Sequence, residues 1–161
     1  MDILSLIAPL RLEGLATAII CGVIIGLERQ LSGKPTGIRT CSLICLGTYV
    51  YVTVNQLLQG NNIDPGRIVG QVITGIGFIG AGVILTRQGV VIGITSAAVI
   101  WVLAGTGILI GFGKFAAAIL LSIITVTILL GVNFLEKSFS ALRKGVHAKL
   151  VSHRKTDNGE S

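Results

Sequence analysis

Apolar residues recur along this chain in long unbroken runs, with polar residues gathered in the gaps. A helix that crosses a bilayer core needs about 20 mostly apolar residues. Runs of that kind cover roughly Leu10–Leu27, Thr40–Leu58, Ile68–Thr86, Ile94–Phe112 and Phe115–Leu135. This pattern predicts an all-α, polytopic membrane protein with about five transmembrane helices over residues 1–136. Residues 2–9 form a short interfacial helix before Pro9 or extend the first span. In the tail, 137–161, Phe139, Leu142, Val146 and Leu150 recur at helical spacing among basic residues. That predicts an amphipathic helix on a leaflet surface, interrupted near Gly145, with no structure expected for TDNGES at the end.

Composition supports the membrane reading. Of 161 residues, 52% are hydrophobic and 12% charged, against about 25% charged in an ordinary soluble domain. Mean hydropathy is +0.86. From Asp64 to Glu136 no acidic residue intervenes, and the basic ones are Arg67, Arg87 and Lys114. MDILSLIAPL lacks a basic start, so a cleaved signal peptide is not expected.

Charge then sets orientation. Five spans place Arg29, Lys34, Arg39, Arg87 and the six basic residues of the tail on one side, and Arg11, Lys114 and Arg67 on the other, which accounts for all 13. Basic residues favour the cytoplasmic side, so the N-terminus is expected outside and the C-terminus in the cytoplasm. The formal charge of +6 then meets anionic lipid at the inner leaflet. No motif points to nucleic acid.

The stretch GIGFIGAG, residues 75–82, contains G-x-G-x-x-G at Gly75, Gly77 and Gly80. A dinucleotide site would need a strand before it, a helix after it and an acid about 20 residues on. No acid appears before Glu136, so nucleotide binding is rejected. Small residues let membrane helices approach closely. Gly75, Gly77, Gly80 and Gly82 therefore predict a third helix at the bundle centre. It is either plainly close-packed or broken along a cavity, where free backbone groups could meet an ion. Gly22 with Gly26, and Gly107 with Gly111, offer further packing faces.

Polar groups within or beside the spans are the candidate functional residues. In GLERQLSGKPTGIRT, residues 26–40, Glu28 and Arg29 end the first helix, Lys34 to Gly37 turn, and Arg39 and Thr40 start the second. Glu28 could pair with Arg39 across this hairpin. Simple anchoring and a partner-binding or ion-gating role are both open. Asp64 before Pro65 reads as a helix cap. Arg67 and Gln71 share a face, and Gln71 and Thr74 are expected to point into the bundle. Glu13, Thr17 and Cys21 form one stripe, where Glu13 could bind a cation, relay protons or reach the interface; Arg11 is expected to face elsewhere. Thr95 and Ser96 open the fourth helix and Trp101 follows. Cys21, Cys41 and Cys45 read as small apolar packing residues. His147 and His153 lie in the tail without ligand spacing. No catalytic constellation is visible, so no enzymatic activity and no cofactor are expected. Magnesium is conceivable as a ligand, but no residue set in the sequence specifies it.

Taken together, GLERQ at 26–30, GIRT at 37–40, DPGRIVGQVITGIGFIGAGVI at 64–84 and GITSAAVIW at 93–101 resemble the MgtC/SapB family of bacterial membrane proteins. The resemblance runs from about Leu15 into the fifth span. Many members add a soluble C-terminal domain; none is expected here, so functions that need it are not implied. Ser96 stands where Thr is usual, which keeps the hydroxyl. The resemblance implies a cytoplasmic-membrane protein linked to growth at low magnesium and survival in hosts. It implies a modulator of other membrane proteins, such as the F-type ATP synthase or ion and phosphate transporters, and it draws attention to the polar and glycine positions named above. Two functions compete: a regulatory interaction protein, with a homodimer as one form, and a transporter or channel for magnesium or another cation.

Overall fold

The computed structural model describes residues 8–57, 65–87 and 89–138. They form five helices and one short hairpin: α1 (Leu12–Leu31), α2 (Ile38–Leu57), α3 (Pro65–Gly82), β1 (Leu85–Arg87), β2 (Val90–Ile92), α4 (Ile94–Gly111) and α5 (Phe115–Ser138). Two stretches of these helices, Ile94–Gly111 and Phe115–Leu135, are each long and apolar enough to cross a membrane, with mean hydropathies of 2.0 and 2.6. The basic tail beyond residue 138, the segment 2–7 and Asp64 lie outside the described residues. The chain divides into two units, residues 1–126 and 127–161. In the second, the described part is the end of α5, where Ile128 and Phe134 are exposed.

In the first unit α2 lies between α1 and α4. The α1–α2 connection is short because Gly33 takes φ +65. The N–H of Lys34 then reaches back to the carbonyl of Arg29 at 2.9 Å, closing the last turn of α1. The two helices run close together because α1 turns small residues toward α2. A Cβ on Gly22 would collide with the Ser42 backbone, and one on Gly26 would stand 2.5 Å from the Ile38 Cα. On the other side of α2, a Cβ on Gly107 would stand 2.6 Å from the Thr48 Cβ and one on Gly111 2.5 Å from the Val52 Cγ1. Glycine is therefore what lets both α1 and α4 approach α2.

The core follows from that approach. Ala18, Cys21 and Ile25 of α1, Cys41, Cys45, Tyr49 and Val52 of α2, and Val99, Ile100, Leu103 and Ile110 of α4 are buried. All three cysteines are buried and free. The Cys45 thiol donates to the Leu103 carbonyl at 3.5 Å and that of Cys41 to the Thr36 carbonyl at 3.7 Å. The first half of α5 buries Ala118, Ser122 and Thr125, and the two hydroxyls donate to carbonyls four residues back. Thr17 and Thr106 bond back along their own helices in the same way, which is how a hydroxyl is commonly accommodated inside a helix.

Two expectations change. The glycine-rich third helix is at the edge, not at the centre. Helix α3 packs chiefly on α4. Ile76 is buried, and a Cβ on Gly80 would lie 3.8 Å from that of Ala97. Among the described residues, Gly75, Gly77 and Gly82 have nothing within 4 Å of the corresponding position, and Phe78 is 85% exposed. Ile76 and Gly80, four apart, share the stripe that meets α4, while the other glycines fall on the remaining faces. The helix is also continuous through residues 75–82, with no break.

The second change is the hairpin. The third apolar run predicts helix to Thr86, but α3 ends at Gly82 and the chain enters β1. Leu85 pairs with Ile92, Thr86 with Val91 and Arg87 with Val90. Gly89 has φ +78 in the turn, and Gly93, at φ +94, caps the start of α4. A Cβ on Gly93 would strike the Val83 carbonyl, so both backbone conformation and space require glycine there.

Candidate functional site

The last turn of α1, the first turn of α4 and the loop into α2 meet at one end of the first unit. Glu28 and Arg29 are both buried there, although successive residues on a helix point in different directions. The Arg29 Nη2 donates to the Ser96 hydroxyl at 2.9 Å, while its Nη1 stands 3.7 Å from Glu28 Oε2. The Ser32 hydroxyl donates to Glu28 Oε1 at 2.8 Å. GLERQ at the end of α1 and GITSAA at the start of α4 are thus joined by one buried hydrogen bond between residues 67 apart.

The cluster is incompletely satisfied. Among the described residues, Glu28 Oε2 and Arg29 Nε have no hydrogen-bond partner, nor do the buried hydroxyls of Thr36 and Ser42. Burying two charges costs several kcal/mol per ion; among the described residues their mutual attraction and the two serines offset it. Among the described residues, no three of His, Cys, Asp and Glu gather as a metal-binding group. What the site offers is one unbonded carboxylate oxygen beside an unbonded guanidinium N–H.

The other candidate residues are distributed differently. Arg39 does not pair with Glu28; it and Thr40 are exposed. Glu28 is served instead by its neighbour Arg29 and by Ser32, which are closer along the same turn. Gln71 does not point into the bundle. It is exposed on α3, as are Arg67 and Thr74, and the Thr74 hydroxyl donates to the Gly70 carbonyl at 2.9 Å. Their face is one that α4 leaves uncovered. Thr95 is exposed and Ser96 buried; Trp101 is 54% exposed.

At the opposite end, Glu13 forms an exposed ion pair with Arg11 at 2.9 Å, contrary to the expectation that Arg11 faces away. The helical-spacing rule does not apply because Arg11 precedes the helix in an extended conformation. Thr17, on the same stripe, donates to the Glu13 carbonyl at 2.7 Å. Tyr49 joins this end of the bundle although the apolar pattern does not single it out. Its hydroxyl accepts from the Arg11 N–H at 2.8 Å and lies 3.2 Å from the Arg11 carbonyl, to which it donates. Gln56 Nε2 likewise donates to the Gly111 carbonyl at 2.9 Å, tying the end of α2 to the end of α4. The available signal was a tyrosine in the middle of the second apolar run and a glutamine near its end.

Comparison with known proteins follows the same segments. The MgtC family pattern matches residues 15–138. YhiD of Escherichia coli (strain K12), described as a candidate magnesium transporter, is 40% identical over 141 residues, covering 83% of this chain and 64% of that protein. An uncharacterized protein of Haemophilus influenzae is 44% identical over 125 residues, covering 72% of this chain and 51% of its own length. Protein MgtC of Salmonella typhimurium (strain LT2) is 39% identical over 110 residues, covering 68% of this chain and 47% of its own. The chain therefore spans about half to two-thirds of these relatives. No solved structure matches it.

Proposed function

Because the chain belongs to the MgtC family, we propose that it is a multi-pass protein of the bacterial cytoplasmic membrane that modulates other membrane proteins. Such modulation would support adaptation to low magnesium or host stress. Its partner would be a complex such as the F-type ATP synthase or an ion transporter. The N-terminus lies outside and the C-terminus in the cytoplasm, as the basic residues direct. The observation that carries this reading is the face of α3 that the described residues leave uncovered, with open space among them at Gly75, Gly77 and Gly82. Lipid gains little from such a surface, whereas another membrane helix can pack closely on it.

The test is affinity purification of the full chain from native membranes after cross-linking, for the wild type and for Gly75→Leu/Gly82→Leu. The fold should tolerate both leucines, since a side chain at either position starts in open space. Loss of a copurifying membrane protein from the double variant alone supports the reading. A partner retained equally by both forms counts against α3 as the docking face.

Transport is the second reading. It is favoured by the buried Glu28 oxygen without a hydrogen-bond partner among the described residues and by the description of YhiD. Magnesium uptake into liposomes containing only the purified chain, abolished by Glu28→Gln, would establish transport in place of regulation.

A further inference from the structure

At the end of the bundle away from Glu28 and Arg29, a half-open cleft of about 320 Å³ lies among the ends of α2 and α4 and the starts of α1 and α5. That is within the usual size of small-ligand sites. Its lining includes Arg11, Thr53, Gln56, Phe112 and Phe115. Thr53 is 7% exposed, and its hydroxyl has no hydrogen-bond partner among the described residues. The contrast is with the hydroxyls of Thr17, Thr106, Ser122 and Thr125, which all bond carbonyls four residues back. A buried hydroxyl left unbonded costs free energy, and here it lines a cleft where a ligand could bond it.

Arg11 lines the cleft, and its ion-pair partner Glu13 stands next to that lining residue. The Arg11 guanidinium stands 5.8 Å from the centre of the Phe115 ring and is paired with Glu13 at 2.9 Å. The two side chains are 66% and 67% exposed, so a ligand can reach either. We propose that this cleft binds the headgroup of a zwitterionic phospholipid bearing a primary ammonium. The phosphate meets Arg11, the ammonium meets Glu13, and the buried Thr53 hydroxyl bonds a phosphate or ester oxygen. Phe112 and Phe115 provide apolar wall for the glycerol and the first acyl carbons. The adjacent Glu13 disfavours a purely anionic headgroup. A quaternary ammonium cannot donate a hydrogen bond to a carboxylate, which disfavours phosphatidylcholine. The inference rests on the reading of the chain as a membrane protein.

The test is native mass spectrometry of the full chain released from nanodiscs of equal phosphatidylethanolamine, phosphatidylglycerol and phosphatidylcholine, with free phosphoethanolamine added in a parallel arm. One phosphatidylethanolamine is expected to be retained preferentially. Thr53→Val, which keeps the shape, is expected to reduce that retention roughly fivefold, the effect of one hydrogen bond. Arg11→Gln/Glu13→Gln is expected to abolish the preference among headgroups. No preference in the wild type, or retention unchanged in Thr53→Val, overturns the proposal. Binding of free phosphoethanolamine in place of the lipid overturns the lipid assignment. Failure of the chain to enter nanodiscs would instead overturn the membrane reading beneath it.

Discussion

The glycines of α3 and α4 should respond oppositely to the same chemical change. In Gly107→Ala, the new methyl carbon would stand 2.6 Å from the Thr48 Cβ and 2.7 Å from the Cys45 carbonyl oxygen. Comfortable carbon contacts are about 3.5–4.0 Å, so α4 must retreat from α2 by roughly 1 Å. One obstacle is backbone, so a rotamer change does not relieve the clash. Overpacking of this kind costs about 1–3 kcal/mol. In Gly75→Ala, the methyl meets nothing within 4 Å among the described residues. Both substitutions sit inside helices and share the gain of alanine over glycine in helix propensity, about 1 kcal/mol. That gain cancels when the two variants are compared. The expected difference is therefore the overpacking cost alone, about 1–3 kcal/mol. At about 2–4 °C per kcal/mol for a chain of this size, Gly107→Ala should melt roughly 2–12 °C below Gly75→Ala. Thermal unfolding of the purified chain in detergent, followed by circular dichroism, reads this directly. Equal midpoints, or a Gly75→Ala variant that melts lower, would refute the assignment of α2–α4 as the tight interface and α3 as the open face.

Three further outcomes follow from the buried polar groups. Arg29→Met leaves the Glu28 carboxylate buried without its cation and should cost about 3–5 kcal/mol; Glu28→Gln/Arg29→Met should recover part of that loss, as a double-mutant cycle of unfolding free energies would show. Ser96→Ala removes a hydrogen bond to a charged donor and should cost about 1.5–3 kcal/mol, whereas Ser96→Thr, which keeps the hydroxyl, should stay closer to the wild type in the same assay. Tyr49→Phe removes the partner of the Arg11 N–H and carbonyl; it should cost about 1 kcal/mol and accelerate amide hydrogen exchange in the first turn of α1, measured by mass spectrometry.

Local sequence was enough to place the helices. Unbroken apolar runs are a local property, and each of the five coincides with a helix whose ends lie within a few residues of those expected. The same local reading singles out GLERQ and GITSAA, because ionisable and hydroxyl groups beside apolar runs are costly unless they have a purpose. It leaves open which groups meet. Spacing offers Arg39 to Glu28 across the turn, yet Glu28 lies beside Arg29, whose hydrogen bond goes to Ser96. That choice depends on α4 returning to the end of α1, which no local spacing encodes. Glycine spacing is equally mute about neighbours. Gly22, Gly26, Gly107 and Gly111 stand against α2, while Gly75, Gly77 and Gly82 stand against open space. A glycine records that close approach is permitted; whether a second helix takes it up depends on how the whole bundle packs. The hairpin at 85–92 is hidden for a related reason. Leu85 and Thr86 of its first strand read as the end of the third run, and the left-handed glycines at 89 and 93 acquire their role only when the chain folds back past Val83.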